Sequence, residues 1–146
     1  MQIESQLVEV MEVVAKALDV PPRALTQRTG RSNRERRPKV RIGRKMCRAL
    51  ARSHTRCAYA QIGRFFGGCS GSRVEADMAD LAEMEATDED VRQWMALCDA
   101  ALTRKRMERT VAIAKELGLT GDDLALAVAD VRERVEQARA RLKGVL

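Results

Sequence analysis

Apolar residues recur three and four positions apart along most of the chain, the spacing that gathers them on one face of an α-helix. Ile3, Leu7, Val10, Met11, Val14, Ala17 and Leu18 form one such stripe and predict a helix over Gln2 to Leu18. Asp19-Val20-Pro21-Pro22 ends it, because proline lacks a donor and drives the residue before it toward extended backbone. Pro22 then opens a single helical turn that returns Leu25 to the core. Periodicity disappears from Thr26 to Pro38, where Gly30, Ser32 and Asn33 sit among arginines, and a basic loop is expected. A helix over Lys39 to Ser53 follows. Val40, Gly43, Cys47 and Leu50 share one side with Met46 beside them, and Arg41, Arg44, Lys45, Arg48 and Arg52 take the rest.

The stretch from Ala58 to Val74 predicts a short helix with Ile62 and Phe66 inward, then a sharp turn at Gly67-Gly68. Glycine takes positive φ there without steric cost. A further helix from about Ser70 to Glu85 turns Val74, Met78, Leu81 and Ala82 inward, and leaves Glu75 and Asp77 either to read cytosine or, the favoured reading, to face solvent. Short helix, glycine turn and second helix are the parts of a helix-turn-helix. Thr87-Asp88-Glu89-Asp90 then starts a long helix, a hydroxyl cap followed by acids near the positive end of the dipole, and it runs to Leu117. Thr120 caps a last helix. Its Leu124, Val128, Val131, Val135, Ala138 and Leu142 alternate four and three apart, a seam that packs on another helix. The partner is either the preceding helix, through Val91, Trp94, Met95, Cys98, Ala101, Val111, Ala114 and Leu117, or a second copy of the chain. The expected fold class is all-α: a helix-turn-helix domain over residues 1–85, then a long helical hairpin over 86–146 for dimerisation or partner docking.

Composition agrees with helix over strand, since the 146 residues hold one Trp, one Tyr and two Phe and are rich in unbranched side chains. The net charge of +6 is unevenly spread. Residues 86–146 carry 11 basic and 11 acidic side chains, whereas residues 23–64 carry 14 basic ones against the single acid Glu35. Self-repulsion on that scale destabilises a fold unless a polyanion offsets it. Arginine outnumbers lysine twelve to two in the window, and its planar fork suits phosphate oxygens and guanine edges. Nucleic acid is the expected partner.

Other chemistry is thinly represented. Cys47, Cys57, Cys69 and Cys98 form no CxxC pair, and with His54 they match no zinc spacing, so reduced thiols and no metal are expected. One histidine, no phosphate loop of the GxxxxGK[ST] type and no paired carboxylates in a metal-like setting argue against an enzyme and against a cofactor. The first twenty residues contain Glu4, Glu9 and Glu12, unlike a signal peptide, and the longest apolar run is Leu124 to Ala129. A cytoplasmic, nucleoid-associated protein with no membrane partner is expected.

Residues from about Val10 to Met84 resemble the C-terminal DNA-binding domain of the bacterial replication initiator DnaA. The resemblance rests on Arg44-Lys45-Met46, Ala49-Leu50-Ala51-Arg52, Thr55 and Ile62-Gly63-Arg64-Phe65-Phe66-Gly67-Gly68. It implies that the helix after Gly67-Gly68 enters the major groove and that the basic loop reaches an adjacent minor groove. It implies base reading by Ser70, Gly71, Ser72 and Arg73, with Tyr59 and Ala60 touching DNA at the start of the first motif helix. Arg44 and Lys45 match positions facing the DNA backbone. With them, Arg31, Arg34, Arg36, Arg37, Lys39 and Arg41 are expected at the phosphates or in the minor groove.

Two departures bear on specificity. The family signature Arg-Asp-His-Thr-Thr is replaced by Cys69-Ser70-Gly71-Ser72-Arg73, and the family's minor-groove arginine falls on Ile42. Recognition of the DnaA box is therefore not expected. Stand-alone domains of this kind occur in phage-like regulators, including activators of gene-transfer-agent clusters. The expected function is a regulator of transcription, of the activating kind, bound to double-stranded DNA. Its C-terminal helices, residues 88–142, would dimerise or dock on a protein such as RNA polymerase. The alternative is a replication-related or architectural adaptor that binds DNA without sequence preference and recruits its partner through those helices.

Overall fold

The computed structural model describes residues 3–27, 37–119 and 121–145. Among them are seven helices and no strand: α1 (Ile3–Leu18), α2 (Pro22–Thr26), α3 (Pro38–His54), α4 (Tyr59–Phe65), α5 (Gly71–Thr87), α6 (Glu89–Glu116) and α7 (Asp122–Val145). The all-α fold is as the apolar spacing predicts. The loop expected over 26–38 lies largely outside the described residues, and Arg31, Arg34 and Arg36 with it. The chain divides into two compact units, 1–95 and 96–146, and the division falls inside α6 rather than after Glu85.

In the first unit α3 is the central element and packs on α1, α2, α4 and α5. Being covered from several sides, it buries far more than one stripe: Val40, Met46, Cys47, Ala49, Leu50 and Ala51 all lie inside. Leu7, Val10, Val14 and Leu18 of α1 form the apposed stripe, while Met11 and Ala17 are half-buried. That helix ends at Asp19, the one described residue other than glycine with positive φ (54°), and the Val20 N–H closes it onto the Ala15 carbonyl at 3.0 Å. Pro22 opens α2 from an extended Pro21, which puts Leu25 wholly inside.

The connection between α4 and α5 sets the geometry of everything that follows. Ile62 and Phe66 are fully buried, and Gly67 and Gly68 take φ of 95° and 68°, conformations that a side chain disfavours. Gly63 lets the chain double back against α4. A Cβ there would stand 2.3 Å from the Cys69 carbonyl oxygen, and the Cys69 N–H donates to the Gly63 carbonyl at 2.9 Å. The helix-turn-helix segment is thus stapled by backbone contact.

Two expectations about helix faces are corrected. On α5 the buried positions are Val74, Asp77 and Leu81; Met78 is half-buried and Ala82 is exposed. Asp77 takes the inward place because Arg48 of α3 lies beneath it and satisfies its charge. The start of α6 is capped by Asp88, whose Oδ1 accepts from the Asp90 N–H at 2.9 Å and the Val91 N–H at 3.3 Å. Thr87 closes α5 instead, donating its hydroxyl to the Glu83 carbonyl at 3.0 Å.

The second unit is the remainder of α6 with α7. Gly118 and Gly121 (φ 70° and 65°) reverse the chain, and the Leu119 N–H bonds back to the Ala114 carbonyl at 3.0 Å. Arg141 of α7 pairs with Asp99 of α6 at 3.5 Å, so the two helices run antiparallel and α7 folds back along α6. Val131 and Ala138 of the seam are buried, Val128, Val135 and Leu142 half-buried. The side chain of Leu124, like Thr120, lies outside the described residues.

Candidate nucleic-acid interface

The basic residues of the first unit fall into two groups that the linear charge count does not separate. Arg44 and Arg48, one helical turn apart on α3, are each only 5% exposed. Arg44 donates from Nε to the Ala24 carbonyl at 3.0 Å and from Nη2 to the Gln27 carbonyl at 3.3 Å. Those carbonyls belong to the last turn and C-cap of α2, and the guanidinium supplies donors to them. Arg44 is therefore a strut between α3 and α2, not the backbone-facing group that the resemblance implied. Arg48 donates to the Phe66 carbonyl and to Asp77 Oδ2. Lys45, the other α3 position carried over from the family, pairs with Asp80 of α5 at 3.1 Å.

A second set of arginines remains outside. Arg52, Arg56, Arg64 and Arg73 are exposed, from the end of α3 to the first turn of α5. The Arg52 guanidinium lies 4.5 Å from the centroid of the Tyr59 ring and donates to the Cys57 carbonyl at 3.1 Å, which aligns it over the start of α4. The backbone N–H of Ala58 is held by Gln61 Oε1 at 2.9 Å, completing that entrance. Gly71 then brings α5 against α4: a Cβ at this position would stand 3.2 Å from the Tyr59 Cβ and 3.3 Å from the Ala60 nitrogen. Arg52, Tyr59, Ala60 and Gly71 are in this way one connected surface, and Ser70, Ser72 and Arg73 continue it.

Ser70 caps α5, its Oγ accepting from the Arg73 N–H at 3.2 Å, and Ser72 is exposed. The Arg73 side chain is 61% exposed, with its Nε 3.3 Å from Asp77 Oδ1. Past this first turn the outer side of α5 carries Glu75, Asp80 and Glu83, all exposed. Exposed positive charge thus stands at the N-terminal turn of α5 and exposed acidic charge along the rest of it.

No family model, no curated protein and no solved structure matches the chain.

Arg37, Lys39 and Arg41 are exposed at the opposite end of α3. The rise of an α-helix places Arg41 about 16 Å along the axis from Arg52. The sequence-derived site thus separates into a cluster at the start of α4 and α5 that the fold assembles and a basic group apart from it. Asp77, assigned to solvent from the sequence, belongs to the cluster. The signal was present: Val74, Asp77 and Leu81 are spaced three and four apart, as a buried stripe requires. Among the described residues no group of three His, Cys, Asp or Glu side chains is arranged to hold a metal ion, and no helix is long and apolar enough to cross a membrane.

Proposed function

We infer that this protein is a double-stranded DNA-binding regulator of transcription, acting from the cytoplasm on the nucleoid and carrying no catalytic activity. One observation supports this above all. The N-terminal turn of α5 presents Ser70, Ser72 and Arg73 beside Tyr59, over whose ring Arg52 lies, and Arg56 and Arg64 are exposed on the segment that leads into it. Helix-turn-helix proteins read base edges with that turn while the preceding helix and its flanks contact phosphates. In the proposed mode Arg52, Arg56 and Arg64, with Arg37, Lys39 and Arg41 farther along, neutralise phosphates and fix the register. Arg73 reads a guanine, and the serine hydroxyls read either partner. The likeness to the DnaA domain is consistent with this arrangement. The second unit is the element through which the regulator would dimerise or meet RNA polymerase.

The acidic outer side of α5 supports a second reading, an architectural adaptor with little base preference, because it limits base contact to a single turn. Selection from a pool of randomised duplexes, followed by binding across a salt series, tests both. Regulation at defined sites gives an enriched motif and a log–log salt slope of about −5 for about six neutralised phosphates. A slope near −5 with no motif leaves the adaptor. A slope of about −1 overturns DNA binding as the function.

A further inference from the structure

The contact between Arg48 and Asp77 is a charge pair sealed inside the protein. Arg48 is 5% exposed and Asp77 is 0% exposed. Arg48 donates to Asp77 Oδ2 and, from Nε and Nη2, to the carbonyl of Phe66, the residue that ends α4 just before the double glycine. One guanidinium therefore joins α3, the turn and α5. Asp77 still has an oxygen to satisfy. Its Oδ1 is buried and accepts no hydrogen bond among the described residues. A buried acceptor without a donor is unfavourable, and an ionised one more so. Arg73 Nε stands 3.3 Å from Oδ1, one helical turn back on the exposed end of α5.

We propose that Asp77 is a positioning residue for base reading: its Oδ1 takes the Nε–H of Arg73 and so aims that guanidinium outward as a fixed fork. Resting on the DNA-binding reading above, the inference adds how the fork is aimed. Arginine has five N–H donors in a rigid plane, and a carboxylate on Nε leaves the four on Nη1 and Nη2. Those form the edge that matches O6 and N7 of guanine. Among the described residues the terminal nitrogens of Arg73 have no partner, so nothing competes for that edge. The deep half of the carboxylate cannot swing to follow Arg73, because Arg48 holds Oδ2 and is itself tied to the Phe66 carbonyl. The same tie relates the direction of Arg73 to the conformation of the Gly67-Gly68 turn.

The test compares the wild type with the double variant Arg48→Met, Asp77→Ala. Replacing a whole buried ion pair by apolar groups is tolerated far better than removing one partner, so the variant should fold. In selections from randomised duplexes the wild type should enrich a guanine whose replacement weakens binding by about 10-fold or more, as expected for a bidentate contact. In the variant that preference should shrink to about 2-fold, while affinity for unselected duplex changes little, since phosphate contacts are sequence-independent. Arg73→Ala should abolish the preference in the wild type and change nothing further in the variant.

A measurement on the unaltered protein covers the case of a variant that fails to fold. The Arg73 Nε–H resonance, identified by its loss in Arg73→Lys, should become protected from solvent exchange when the selected duplex is added. A folded variant that keeps the guanine preference overturns the role of Asp77, as does an Arg73 Nε–H that stays unprotected on the duplex. Wild-type protein that ignores every duplex at low ionic strength overturns the DNA-binding reading itself, and this inference falls with it.

Discussion

The two units are built from the same kinds of residue and use them differently. In the first, α3 is surrounded, and Phe66, Leu18, Leu25, Met46, Leu50 and Ile62 are wholly buried. In the second, the buried side chains include Cys98, Leu102, Ala114, Val131 and Ala138, mostly small. Among the described residues the large apolar side chains that stand exposed, Leu97, Ile113, Leu117 and Leu126, all belong to this second unit. Charge follows the same division. The first unit carries +4 of the net +6 and encloses two of its arginines, Arg44 and Arg48, whereas the second carries the remaining +2. A surrounded helix can bury ionic groups because neighbouring elements supply their partners. A two-helix hairpin offers one seam and little more.

The largest effect should come from dividing the internal ion pair. Arg48→Ala leaves the Asp77 carboxylate buried without its partner and should cost the first unit about 3–5 kcal/mol, seen as a lower denaturation midpoint. A loss below about 1 kcal/mol would show that water replaces the guanidinium. In the second unit, Val131→Ala removes only part of a small buried side chain and should cost about 1–2 kcal/mol by the same measurement. Should it match Arg48→Ala, the contrast between the units is mistaken. Ser70→Ala removes the cap of α5 and should destabilise by about 1 kcal/mol. Leu117→Ser, at a site 72% exposed, should change stability by no more than about 0.5 kcal/mol.

Thiol chemistry offers a comparison inside a single sample. Burial, reinforced by the neighbouring Asp99 carboxylate, pushes the Cys98 thiol up to about 12. The reactive species is the thiolate, so raising the pH to 9 should leave Cys98 unalkylated in the folded protein. Its labelling then reports opening of the second unit, as labelling of the buried Cys57 reports opening of the first. Mass spectrometry of time-resolved alkylation should find the half-buried Cys69 modified before either, and Cys98 before Cys57. The reverse order of the last two would make the hairpin the firmer unit.

The sequence by itself determined the helices, because each begins or ends on a signal carried within a few residues. Pro22 opens α2, Gly67-Gly68 and Gly118 turn the chain, and apolar spacing marks the inward sides of α1 and α4. Local steric and hydrogen-bonding rules act over that range and need no knowledge of neighbours. What only the tertiary structure decided was the use of the charges. Arg44 and Arg48 look like Arg41 and Arg52 in the chain, yet two are enclosed and two exposed, since α2, the Phe66 carbonyl and Asp77 come from elsewhere in the sequence. A guanidinium tolerates burial only where acceptors converge on it, and that convergence is a property of the assembled fold.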